Sequence, residues 1–187
     1  MDYYIHQIGS IKERSTYEKL IKILKSKMIA SRAHLEEKGI QFDCTFKQDI
    51  PEGKEWLYYE RDIHKDRVSL SDPQNRLIQK AIERKDHCTI TCFDHDYIAF
   101  AISRDVPIVS EELTKGLALG EVQVKDKIDS EYIVGLILPF SQEQLLDSTP
   151  ALIVDKISEI CSQNDFPLDI YSYKGELLKQ REKGRIQ

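Results

Sequence analysis

Four side chains carry the types and positions from which a reaction centre could be built: His6, Ser69, Ser71 and Glu121. Glu121 follows Gly120 and opens the run EVQV, which alternates as a strand does. A carboxylate at the head of a strand is held rigidly at the rim of a sheet while its neighbour Val122 packs inward. That suits a catalytic group, and it suits an ordinary exposed glutamate equally well. His6 falls in the aromatic-rich run Tyr3 to Ile8, where it has two readings, a ligand-binding imidazole or a hydrogen-bonded structural one. Ser69 and Ser71 share one face of RVSLS, and Ser71 or Asp72 also suits the N-cap of the helix expected next. Glu111 and Glu112 are alternative carboxylates in the loop before Glu121.

Other chemistries lack their signatures. There is no GxxxxGK[ST] or GxGxxG to cradle phosphate, and no HExxH or GxSxG for a zinc protease or a hydrolase elbow. The four cysteines, Cys44, Cys88, Cys92 and Cys161, form no CxxC pair, and His87 and His95 supply no second ligand pair. They are expected as reduced core thiols, with no metal bound. The net charge of −5 argues against broad electrostatic capture of nucleic acid. No run approaches the eighteen or so apolar residues of a membrane helix, and the first residues lack a leader pattern. A cytoplasmic protein without a membrane partner is expected.

The elements that must position these residues are legible in part. Strands are expected at Tyr3 to Ile8, Arg67 to Ser71, Cys88 to Phe93, Tyr97 to Ser103, Glu121 to Val124, Tyr132 to Pro139 and Leu168 to Tyr173. The turn Asp94-His95-Asp96 joins two of them as a hairpin, and a charged linker turns the chain between Val124 and Tyr132. STYEKLIKILKSKM is the clearest helix, with Ser15 and Glu18 as a capping box and Tyr17, Leu20, Ile21, Leu24 and Met28 along one face. Further helices are expected from Ser31 to Lys38, from Ser71 or Asp72 to about Lys85, and from Thr149-Pro150 with Ile153, Val154, Ile157, Ile160 and Cys161 inward. Ser141 caps a brief turn before the last. From Ile40 to Asp66 the chain reads as a long loop anchored by Trp56, Tyr58 and Tyr59. The order predicts a single α+β domain over residues 1–187, a mainly antiparallel or mixed sheet with flanking helices, and a solvated basic tail from about Lys174.

In that order, a first-strand histidine, the helix IKILKSKMIASR, a strand with Ser-x-Ser and the segment EVQVKDKIDSEYIVGLILP resemble the small bacterial and phage-encoded ADP-ribosyltransferase-like domains. The resemblance covers Tyr3 to Pro139. It departs from the family at Lys27, where a glycine is usual, at Gln7, where a tyrosine or arginine often follows the histidine, and at Leu119, where a second glutamate or glutamine usually stands. It implies that NAD is the substrate, that Glu121 is catalytic, that Ser69 places Glu121, that Ser71 backs the nicotinamide pocket and that His6 bonds the adenosine-side ribose. The acceptor it implies is a protein or a nucleic acid, and Leu119 counts against a protein arginine. The rival reading is a non-enzymatic interaction protein, an immunity, antitoxin or phage-derived binding factor on the same scaffold.

Overall fold

The computed structural model describes residues 3–31, 97–108 and 121–182, and gives positions 67–71 and 121 through their backbone alone. The expected helices at 31–38 and 72–85, the loop at 40–66, the strand at 88–93, the turn at 94–96 and Glu111 and Glu112 lie outside the described residues.

The first strand, β1 (Tyr3–Ser10), is buried on both sides: Tyr4 and Ile8 belong to one apolar cluster, Tyr3 and Ile5 to another. Its long antiparallel partner is β4 (Tyr97–Ser103), whose Ile98, Phe100 and Ile102 serve the first cluster and whose Ala99 and Ala101 serve the second. Next to β4 lies β7 (Ile133–Leu138), antiparallel, and next to that β8 (Asp169–Ser172), parallel to β7. On the other side of β1 come β3 (Arg67–Ser71) and β5 (Glu121–Lys125), again antiparallel. With β9 (Leu177–Lys179) pairing β8, the seven-stranded order is β5-β3-β1-β4-β7-β8-β9. Two short strands, β2 (Met28–Ala30) and β6 (Lys127–Asp129), pair separately. The described elements therefore form an α+β domain with a mixed sheet and flanking helices, as the sequence predicts.

Helix α1 (Arg14–Ser26) buries Thr16, Leu20 and Leu24 and leaves Tyr17 and Ile21 half-buried, which is the expected stripe turned slightly. The capping box is a correction. The helix opens before Ser15, with Glu13 in extended backbone at the N-cap position and no side-chain cap bond. Arg14, at i,i+4 from Glu18, takes that carboxylate at 3.5 Å and leaves Ser15 to donate to Glu13. Met28, expected as the end of the helical stripe, instead begins β2. Lys27 ends the helix in the left-handed region at φ 59, a conformation that costs a non-glycine residue about 1 kcal/mol or more. Its ammonium donates to the carbonyls of Asn164, at 3.0 Å, and Asp165, and lies 4.9 Å from the centre of the Phe166 ring. The side chain thus offsets the backbone strain by holding α1 to the carbonyl end of α2 (Ser148–Gln163), where a positive charge is favoured.

The expected linker after Val124 is β6: Asp126 takes φ 67 and the chain leaves the large sheet to pair with β2. Its charged residues hid this, since only Ile128 of the three turns inward. Before α2, Ser141 and Gln144 cap each other, with the Ser141 N–H donating to Gln144 Oε1 at 2.7 Å and the Gln144 N–H to Ser141 Oγ at 3.4 Å. Helix α2 buries Val154, Ile157, Ser158 and Cys161. Cys161 is a free, fully buried thiol whose pKa burial pushes up to about 12, so it is inert as a nucleophile. The tail is a second correction, because Lys179 reaches Asp155 of α2 at 2.8 Å and the Arg181 N–H donates to Asp169 at 2.7 Å, so residues to Glu182 belong to the fold.

Gly9 has φ 144, and a Cβ there would stand 2.5 Å from Thr16 Oγ1, a buried hydroxyl without a hydrogen-bond partner among the described residues. Gly9→Ala should therefore cost roughly 2–4 kcal/mol, measured as a lowered denaturation midpoint. Lys27 makes a second test in which two variants part. Lys27→Ala keeps the strain and loses the anchor, whereas Lys27→Gly loses the anchor and relieves the strain, so the glycine variant should be the more stable of the two by about 1 kcal/mol.

Candidate functional site

The β3–β5 ladder pairs Ser71 with Glu121, Leu70 with Val122, Ser69 with Gln123 and Val68 with Val124. Residues directly opposed in an antiparallel ladder share a face. Ser71 is also the register partner of Ile5, so positions 121, 71 and 5 stand side by side on three adjacent strands. At the usual strand spacing, Glu121 and Ile5 are about 10 Å apart through their Cα atoms. Residues fifty and more positions apart in the chain thus meet at one place.

Two faces follow from the register. Ile5 belongs to the smaller cluster with Tyr3, Ala99, Ala101, Ile137 and Tyr171, and Ser69, Ser71, Glu121 and Gln123 are placed on that face. Val122 and Val124 pack into the larger cluster on the other face, which carries α1 and α2. His6 is half-buried and pairs with Phe100, a residue of the larger cluster. The register therefore brings the two serines and the glutamate together and sets His6 on the opposite face. Gln7, next along, returns to the face of Ile5.

Among the described residues, β1 and β3 share a single registered pair, Ile5 with Ser71. Had the ladder continued, Gln7 would stand opposite Ser69. It does not continue, while on its far side β1 stays paired with β4 through Ser10. Among the described residues the seven strands are thus two ladders, β5-β3 and β1-β4-β7-β8-β9, registered to each other at Ile5 and Ser71, beside the pair of Ser71 with Glu121. Ile108 bridges Val124 on the outer edge of β5, which ties the chain after β4 to the shorter ladder.

On the face of Ile5 the longer ladder is dry, with Gly135 and Tyr171 four and five strands from Glu121. Gly135 admits the Tyr171 ring where a Cβ would come within 2.6 Å of it, and the Tyr3 and Tyr171 rings stack with centroids 6.2 Å apart. Burial first, and then the neighbouring Tyr171, raises the pKa of Tyr3; burial first, and then Asp169, raises that of Tyr171. Both phenols stay neutral at physiological pH. Low polarity of this kind strengthens any electrostatic interaction made next to it.

Gln123 is the residue that sequence reading passed over. It is 5% exposed and engaged in an interaction, a buried amide on the same face as Glu121 and two residues on. The signal was available, since in a strand the residue at i+2 shares the face of residue i. A separate open cleft of about 550 Å³, between the ends of α1 and α2 and the start of β7, is lined by Lys27, Glu131, Val134, Phe166, Asp169 and Arg181 and includes none of the residues singled out from the sequence. Among the described residues no three His, Cys, Asp or Glu side chains group as metal ligands would, and no helix is long and apolar enough to cross a membrane. Trp56, Tyr58 and Tyr59, expected as a wall of the site, lie outside the described residues, as do Cys44, Cys88, Cys92, His87 and His95. Compared with known proteins, the chain matches no family model, no curated protein and no solved structure.

Proposed function

We propose that this chain cleaves the bond between nicotinamide and ribose in NAD, as an ADP-ribosyltransferase or an NAD glycohydrolase. The observation that carries the reading is the register pair of Ser71 with Glu121, beside the described pair of Ser71 with Ile5. Fifty positions separate these residues along the chain, and the register sets them directly opposite each other.

The chemistry explains why a carboxylate is needed there. As the glycosidic bond lengthens, its electron pair goes to the nicotinamide ring, whose pyridinium charge is neutralised, and positive charge builds on the ribose. A fixed carboxylate at Glu121 stabilises that charge and accepts a hydrogen bond from a ribose hydroxyl. Ser69 and Ser71 stand on the paired strand as hydroxyls able to hold the carboxylate and the nicotinamide side, and the buried amide of Gln123 sits opposite Ser69 as a further orienting group. The acceptor is a protein or nucleic-acid nucleophile in the transferase case and water in the glycohydrolase case. A substrate held in the opening where β1 and β3 part meets residues of both faces. His6, one residue beyond that pair, stands on the helix-covered face of Phe100, so its contact with the adenosine-side ribose requires the substrate to pass between the strands.

The first test is thermal unfolding with and without NAD, paired with an assay of nicotinamide release. At 1 mM NAD and a Kd near 0.1 mM, binding to the folded state should add on the order of 1 kcal/mol to stability. Glu121→Gln keeps the shape of the side chain and should lower nicotinamide release by about a hundredfold or more while the NAD-induced shift persists. Nicotinamide release that is absent from the wild type would sink the enzyme reading and favour the non-enzymatic interaction protein.

His6 gives an independent test of where the substrate lies. If NAD reaches between the ladders, His6→Ala loses the NAD-induced rise in Tm, read against that variant's own melting temperature without NAD. A full rise in His6→Ala would place the substrate wholly on the face of Ile5.

A further inference from the structure

The net charge of −5 conceals a local excess of the opposite sign. Between Lys12 and Lys27 the chain has six basic residues and two acidic ones. One of those acids, Glu18, is paired with Arg14. Lys19, Lys22 and Lys25 are exposed and, among the described residues, make no ion pair. At 100° per residue they occupy the arc of α1 opposite Thr16, Leu20 and Leu24, and they span about 9 Å along the axis.

We propose that this face of α1 binds nucleic acid through its phosphate backbone. The inference goes beyond the NAD reading and does not depend on it. Charge complementarity names an anionic partner, and the composition of the face distinguishes among anionic partners. A protein interface needs an apolar centre that excludes water, with lysine depleted there. The outward arc of α1 has no apolar side chain, because its leucines are spent on the core and Tyr17, Ile21 and Ile23 are half-covered at its flanks. Insertion into a membrane surface would need the apolar face that the core already holds, and purely electrostatic lipid binding uses clusters larger than three lysines. Polyphosphate backbones need neither: an interface of lysines alone is what phosphate contacts require, and its affinity comes from released counterions. Lys27 is not part of the face, since its ammonium is committed to the end of α2.

The experiment is fluorescence anisotropy with labelled single-stranded DNA, single-stranded RNA and duplex DNA, titrated at several salt concentrations. Three phosphate contacts predict a slope of log affinity against log salt of about −2 for single strands and about −3 for duplex. Lys19→Glu, Lys22→Glu and Lys25→Glu combined should weaken binding by at least about tenfold at low salt. The same three positions changed to Gln remove the charge without reversing it, and should weaken binding less than the Glu triple does. Far-ultraviolet circular dichroism and Tm check that each variant is folded. No binding to any of the three probes at low salt, or binding that neither triple variant weakens, overturns the proposal. Tighter binding of labelled polyglutamate than of every oligonucleotide, lost in the same variants, would assign the face to an acidic protein instead.

Discussion

The ladder between β1 and β4 is the constraint on which the rest of this structure depends. Both strands are buried on both sides, so the apolar residues from Tyr3 to Ile8 and from Ile98 to Ile102 are committed by alternation to one of two apolar clusters. A slip of one residue would exchange the faces and put Phe100 and Ile102 where only alanines fit. Because β1 is fixed this tightly, the chain on either side of it has little freedom. α1 must leave past Gly9, where Thr16 closes on the strand, and β3 can join only where Ile5 offers it a partner.

Two left-handed residues let the same chain build a second, smaller sheet against the first. Lys27 turns the end of α1 into β2, and Asp126 turns the end of β5 into β6, whose Ile128 packs beside Ile29 of β2 in the larger cluster. The Ser31 N–H donates to the Asp126 carbonyl at 2.7 Å, so the second turn is tied to the strand that follows the first. The lysine at position 27 is informative. A glycine would adopt its backbone freely, but a glycine could not reach the carbonyls of Asn164 and Asp165, and the fold uses the side chain to lock the two helices together. What looks like a departure from a pattern is here an exchange of backbone ease for a tertiary anchor.

The two faces of the sheet divide the labour. Helices cover one and make the main core, while the other combines small residues, buried tyrosines and, toward β3 and β5, the positions of two serines, a glutamate and a buried glutamine. The positions of that group lie where β3 meets β1, a strand held along its length by β4. The acidic average of the chain and the basic face of α1 are likewise separated in space, so net charge alone describes neither surface.

The longer described strands and helices were written in the sequence, because alternation in YIAFAIS and the spacing of Leu20 and Leu24 are local properties of side chains that must be buried. The strands β2, β6 and β9 were not legible, since each is three residues long and exists only through its partner. The residue types of a reaction centre, Ser69, Ser71 and Glu121, could also be chosen from sequence. Their pairing could not, because strand order is set by which buried faces fit together and not by order along the chain. For the same reason the side on which His6 falls was undetermined: one residue of register decides it, and that register is held by Ile5 and Phe100 packing on opposite faces of β1 and β4.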